Sequence, residues 1–201
     1  MKLLPFAASL FLACTAAQLA AAQEVHIQTS LGEIDVGLDA AHAPKTVANF
    51  LRYAREGHFD GTMIYRVVPG FVLQMGSYDA KGNARPTNPP IPLESANGLL
   101  NLRGTLSMAR SDNPASATAE FFINLSDNSS LDPTEGKAPN TTGYAVFGKV
   151  VEGMSVVDTI SRVPLNGGQG PFPDADPAAP VVIKSVTVVG DPPRAAAPVK
   201  P

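Results

Sequence analysis

Tyr65-Arg66-Val67-Val68-Pro69-Gly70-Phe71-Val72-Leu73-Gln74 reads as two β-strands folded back about a Pro-Gly turn. The stretch sits in a longer β-rich segment, Thr62 to Gly76, dense in Ile, Tyr, Val, Phe and Leu. Within it, Arg66 and Gln74 are polar side chains among apolar neighbours. Arg is mostly exposed in folded proteins, so periodicity alone makes Arg66 a solvent-facing strand residue. A buried Arg is costly unless paired or functional, which keeps a second role open for it.

Towards the N-terminus, Val47, Phe50, Leu51 and Ala54 recur at i, i+3, i+4 and i+7, one face of a helix over Ala43–Glu56. Pro44 suits the first helical position and Gly57 the stop. Before that helix, Val25-His26-Ile27 and Ile34-Asp35-Val36-Gly37-Leu38 alternate as two strands joined at Ser30-Leu31-Gly32. Towards the C-terminus lies a long loop, 77–102, with four prolines. A loop of that length is usually functional or a cover over the core. Thr105–Ala109, Glu120–Leu125, Tyr144–Val150 and Val181–Val189 read as further strands. Met154, Val157 and Ile160 form a shorter helical face, and 126–143 and 162–180 are polar or Pro/Gly-rich loop. About eight strands with two helices define a mainly β domain over residues 23–189, a barrel or a sandwich. The Pro/Ala-rich residues 190–201 cannot build a core and are expected to be a disordered tail.

Composition removes several function classes. Net charge is −3, aromatic residues are 6% and Trp is absent, so neither a basic nucleic-acid surface nor a base-stacking platform is present. The single Cys14 makes no internal disulfide, and none of His26, His42 and His58 has a second His or a Cys at ligand spacing, so no metal site is expected. No G-x-S-x-G elbow, H-E-x-x-H, Walker loop or G-x-G-x-x-G occurs. Gly167-Gly168-Gln169-Gly170 precedes Pro171 rather than a helix and reads as plain loop. Three Asn-x-Ser/Thr triplets, at Asn124, Asn128 and Asn140, read as chance matches.

Residues 1–22 have a positive Lys2, an apolar run from Leu3 to Ala13, and small residues Ala20-Ala21-Ala22 before Gln23. That is the pattern of a secretory signal peptide, with the product in the periplasm or outside a bacterium. Lipidation at Cys14, after Phe11-Leu12-Ala13, is the weaker fit.

Several motifs in order resemble the cyclophilin family of peptidyl-prolyl cis/trans isomerases, most closely its periplasmic bacterial members. They are Phe59-Asp60-Gly61-Thr62, Arg66-Val67-Val68-Pro69-Gly70-Phe71, Asn97-Gly98-Leu99, Arg103 through Arg110, Glu120-Phe121-Phe122-Ile123-Asn124, and Val146-Phe147-Gly148-Lys149-Val150. The resemblance covers residues 24–189. It implies an eight-stranded antiparallel closed barrel capped by two α-helices, monomeric and without cofactor, acting on proline-containing polypeptides.

The resemblance also implies a site. Arg66 matches the family's catalytic arginine, and Phe71, Val72, Phe122 and Leu131 match the pocket for the proline ring. From the residues alone, Phe71, Phe122 and Leu131 could equally be ordinary core. Gln74 matches a residue that positions peptide and arginine. Ala109-Arg110-Ser111 matches the edge that pairs with the substrate backbone, and Tyr144 looks like the bacterial version of its position. Two departures stand out. Glu120 replaces the usual Gln, where a carboxylate could pair with Arg66 or repel acidic substrates. Ser129 and Ser130 stand near Leu131 in place of the Trp that helps bind cyclosporin, so weak cyclosporin binding is expected.

Overall fold

The computed structural model describes residues 23–134, 142–165, 172 and 175–192. Residues 1–22, expected from their sequence to be a signal peptide, Asn140, Gly167–Gly170 and the residues beyond 192 lie outside the described residues. Eight strands appear in chain order: β1 Gln23–Thr29, β2 Gly32–Leu38, β3 Thr62–Val68, β4 Val72–Asp79, β5 Thr105–Met108, β6 Phe121–Asn124, β7 Val146–Glu152 and β8 Val181–Val188. Helix α1 spans Pro44–Arg55, α2 spans Met154–Ile160, and a 3-10 turn covers Ser129–Leu131. The strands close into a barrel in the order β1-β2-β7-β5-β6-β4-β3-β8, every pairing antiparallel. Closure settles barrel over sandwich and leaves no open sheet edge.

β7 begins at Val146, so Tyr144 lies in the extended run leading into it, and the polar segment after Ser126 contains the 3-10 turn.

The interior is packed solid. Val67, Leu73, Met75, Leu106, Phe121, Ile123 and Phe147 from the strands join Val47, Phe50 and Ala54 of α1 and Val157 and Ile160 of α2 in one core. Phe50 meets the Phe121 ring edge-on at 5.2 Å and the Phe59 ring stacked at 5.2 Å. A ligand-carrying lumen is therefore ruled out by side chains that fill it.

Helix α1 has Ala43 at its N-cap, which supplies no side-chain acceptor. The acceptor comes instead from the long loop. Glu94 takes the Lys45 N–H at 3.1 Å, and the Thr46 N–H and hydroxyl at 2.8 Å each. A carboxylate at a helix N-terminus satisfies orphan donors and complements the dipole. The loop is thus fastened over the helix, consistent with a cover.

Candidate active site

The site arises from register. Arg66 of β3 lies opposite Gln74 of β4, Gln74 opposite Phe122 of β6, and Phe122 opposite Ser107 of β5. Side chains of successive residues alternate across a sheet, so Leu73, Phe121 and Ile123 enter the core while Val72, Gln74 and Phe122 face out. The β3–β4 pairing shifts between Ile64 and Arg66, a bulge at Tyr65. Bulges re-aim side chains, and here Tyr65 and Arg66 both reach Gln74.

A hollow of about 160 Å³ on this outer wall is lined by Arg66, Phe71, Val72, Gln74, Ala109, Arg110, Phe122, Leu131 and Tyr144. Nine of the side chains singled out from sequence therefore converge. Two larger hollows, of about 570 and 590 Å³, contain none of them. The floor is a small apolar cluster separate from the core: Val72, Ala109 and Phe122, with Phe71, Leu131 and Tyr144 against them. The Phe122 and Tyr144 rings meet edge-on at 5.5 Å.

The polar rim is a chain of hydrogen bonds. Arg66 Nη1 donates to Gln74 Oε1 at 3.3 Å. Gln74 Nε2 donates to Glu120 Oε2 at 3.0 Å and to the Tyr65 hydroxyl oxygen at 3.1 Å. Burial, then the Glu120 charge and a hydrogen bond to that carboxylate, push the Tyr65 hydroxyl pKa far up, so Tyr65 is neutral. Of the two roles considered for Glu120, pairing with Arg66 is corrected. The carboxylate touches Gln74, and Arg66 is absent from the ion pairs among the described residues.

Arg110 is held on the other side. Its Nε and Nη2 donate to the Gly143 carbonyl at 3.0 and 2.9 Å, and its guanidinium lies over the Tyr144 ring at 4.7 Å. Gly143 has φ +59, and a Cβ there would come within 2.4 Å of Pro133 N. Only glycine permits that approach, which lets the Tyr144 N–H reach the Leu131 carbonyl at 2.9 Å. Ser111 falls outside the hollow, exposed, its hydroxyl donating to Ser116 Oγ at 2.8 Å.

Sequence reasoning missed the scaffold beneath the pocket walls. Asn101 Oδ1 accepts from Ser107 Oγ at 2.6 Å and Asn124 Nδ2 at 3.2 Å, and its Nδ2 donates to the Leu131 carbonyl at 3.1 Å. Asn128 Nδ2 donates to Asn124 Oδ1 at 2.8 Å and to the Phe71 carbonyl at 2.9 Å. The amides of Asn101, Asn124 and Asn128 thus tie both apolar walls to the barrel. The available signal was Asn124 itself, an amide inside an apolar strand. Fully buried in β6, it is no glycosylation acceptor.

His26, Glu33 and Asp35 bring ligand-type atoms within 4.8 Å of one another on β1 and β2, an arrangement missed by looking only for His and Cys neighbours. Within it, His26 Nδ1 and Asp35 Oδ1 are hydrogen-bonded at 2.6 Å.

Fold and site together define a small closed-barrel protein whose candidate site is a hollow on the outside of its wall. A family model for cyclophilin type peptidyl-prolyl cis-trans isomerase/CLD matches residues 24–188. Peptidyl-prolyl cis-trans isomerase A of Dickeya dadantii is 45% identical over 165 residues, covering 82% of this chain and 84% of the relative. Peptidyl-prolyl cis-trans isomerase B of Escherichia coli is 44% identical over 164 residues, covering 82% and 98%. A Cryptosporidium parvum cyclophilin-type isomerase, solved in the presence of the dipeptide Ala-Pro, superposes with a TM-score of 0.69 at 24% identity, over 84% of this chain and 100% of that one. At that identity the likeness is one of fold. The chain belongs to the cyclophilin-type peptidyl-prolyl cis-trans isomerases, and it is an enzyme of that class.

Proposed function

We propose that this enzyme speeds X-Pro rotation in exported polypeptides by stabilising the twisted peptide with Arg66 while the apolar hollow grips the proline ring. The observation that carries the reading is the convergence of a guanidinium and a separate apolar cluster in one outward-facing hollow. Peptide rotation faces a barrier of about 18–20 kcal/mol from nitrogen–carbonyl resonance. Twisting removes that resonance, and the nitrogen becomes a better hydrogen-bond acceptor. A donor that favours the twisted form over both planar forms lowers the barrier. No bond is broken, so the reaction calls for no nucleophile.

One preorganised donor contributes about 2.7–4 kcal/mol. A ten-thousandfold acceleration needs about 5.5 kcal/mol. The remainder is assigned to the pocket of Phe71, Val72, Phe122 and Leu131, which holds the ring and excludes water, and to the main chain at Ala109 and Arg110, which orders the peptide. Ser111, at the end of that edge, is exposed, and its N–H donates to Ser116 Oγ at 2.9 Å.

The export role rests on the leader over residues 1–22, with cleavage after Ala22 and a periplasmic or secreted, monomeric product. N-terminal sequencing of the mature protein tests it; a chain starting at a lipidated Cys14 would replace it. Weak cyclosporin inhibition is part of the reading, because no Trp stands near Leu131.

The test is isomerisation of a short X-Pro reporter peptide by the purified protein and by Arg66→Ala. Fast catalysis that collapses in the variant is expected. A folded wild type that binds the peptide without turning it over would instead make it a proline-segment-binding module.

A further inference from the structure

Phe172 lies in the Pro/Gly-rich stretch 162–180, and nothing in the sequence reading singled it out. It is 42% exposed, so burial does not explain its placement. The loop is fastened to the barrel near it. The Val67 N–H donates to the Ala175 carbonyl at 2.7 Å, and the Ala175 N–H donates to the Phe172 carbonyl at 2.8 Å. Leu165 bridges to Pro177 on the same loop. These bonds hold the Phe172 ring beside β3, its centroid 5.5 Å from Arg66 Cζ. The ring stacks on Tyr65 at 6.1 Å and 15°, and Tyr65 is fully buried and braced edge-on by Tyr78 at 4.8 Å.

We propose that Phe172 is a positioning residue for Arg66, its ring face restraining the guanidinium. The inference rests on the Arg66 reading above. Among the described residues Arg66 has one hydrogen bond, at the long distance of 3.3 Å, which leaves the planar group loosely aimed. A carboxylate partner would aim it better, but would occupy its N–H donors and offset its charge. An aromatic face attracts the cation through the ring quadrupole and leaves the in-plane N–H groups available. Phe172 thereby restrains the guanidinium without using up the donors that a twisted peptide needs. Tyr65 joins the two restraints, since it stacks under Phe172 and accepts a hydrogen bond from Gln74.

The test compares Phe172→Leu, which keeps apolar bulk and loses the ring face, with Phe172→Tyr, which keeps the face. Both are assayed on the X-Pro reporter in wild-type and Arg66→Ala backgrounds at high enzyme concentration, with thermal melts confirming folding. Phe172→Leu is expected to lower kcat about two- to fivefold, with a smaller change in KM, since Phe172 is not in the lining of the hollow. Phe172→Tyr restores most of the loss, and Phe172→Leu adds nothing once Arg66 is Ala. The Arg66 Nε–H resonance moves in Phe172→Leu as the ring current is lost. Unchanged kcat, an equal loss in the Arg66→Ala background, or a change in KM alone would overturn the proposal while leaving Arg66 in place. Full turnover by Arg66→Ala itself would overturn the Arg66 reading and this proposal with it.

Discussion

Arg66 and Gln74 are cross-strand partners, and the Gln74 amide can satisfy its surroundings in one orientation only. Its Oε1 accepts from Arg66 while its Nε2 donates to Glu120 and Tyr65. Turned over, it would face an NH2 towards a guanidinium, which has donors and no acceptor. The Glu120 carboxylate, an acceptor only, thus fixes which end of Gln74 meets the arginine.

Gln74→Leu removes that acceptor and leaves Arg66 without its hydrogen bond. The bond is long, so its loss is set at about 1 kcal/mol, and kcat/KM is expected to fall about fivefold. The X-Pro reporter assay measures it, and an unchanged thermal midpoint separates the effect from unfolding. Activity within twofold of wild type would show that Gln74 does not position Arg66.

Glu120 leaves a negative charge beside the hollow, since it is bonded to an uncharged amide rather than to Arg66. A reporter with Glu before Pro is expected to be a poorer substrate than its Lys counterpart, and Glu120→Gln narrows the gap. Added salt should narrow it too, because charges near solvent are screened over about 10 Å at 0.1 M. A preference that neither Glu120→Gln nor salt alters would mean that Glu120 plays no part in selectivity.

Asn128→Ala strips the buried Asn124 of one partner and the Phe71 carbonyl of a donor. An unsatisfied buried polar group costs about 1–3 kcal/mol. Denaturant titration is expected to show a lower midpoint at unchanged slope. KM should also rise, because Phe71 loses a tether. A variant as stable as wild type would place the strength of this scaffold elsewhere.

Stability is expected to peak near pH 6.5. Burial, opposed by a hydrogen bond to the Gly76 carbonyl at 2.9 Å, holds the His58 pKa below its ordinary 6.5, with Arg85 lowering it and Glu56 raising it. Its contribution is present above pH 6.5 and lost as pH falls through the folded-state value, because the unfolded chain takes up the proton first. His26 runs the other way. Its hydrogen bond to Asp35 raises the pKa, so its contribution is full below 6.5 and fades as pH rises through the folded-state value. That side chain is 40% exposed, so the alkaline limb is shallow. Melts across pH 4.5–8 for wild type and His58→Gln test this, and an unchanged acid limb in the variant would refute it.

Local signals in the chain were strong where one element decides its own form. The period of Val47, Phe50, Leu51 and Ala54 marks α1, and alternation marks the strands, because side-chain direction follows from backbone geometry alone. The leader pattern and the family motifs are also properties of the chain itself. Arg66, Phe71 and Phe122 were legible as site residues through those motifs, whereas periodicity by itself left Arg66 as surface and the two aromatics as core.

The tertiary structure decided what depends on residues far apart in the chain. Closure of β1 against β8 made the barrel, and register set Arg66, Gln74 and Phe122 in one outward row. A slip of one residue would have turned that row into the core. Glu94 capping α1, Glu120 bonding Gln74 rather than Arg66, and Phe172 resting on the Arg66 guanidinium all join segments from 46 to 106 residues apart. Such contacts leave no local pattern, because each partner's immediate neighbours would look the same without it.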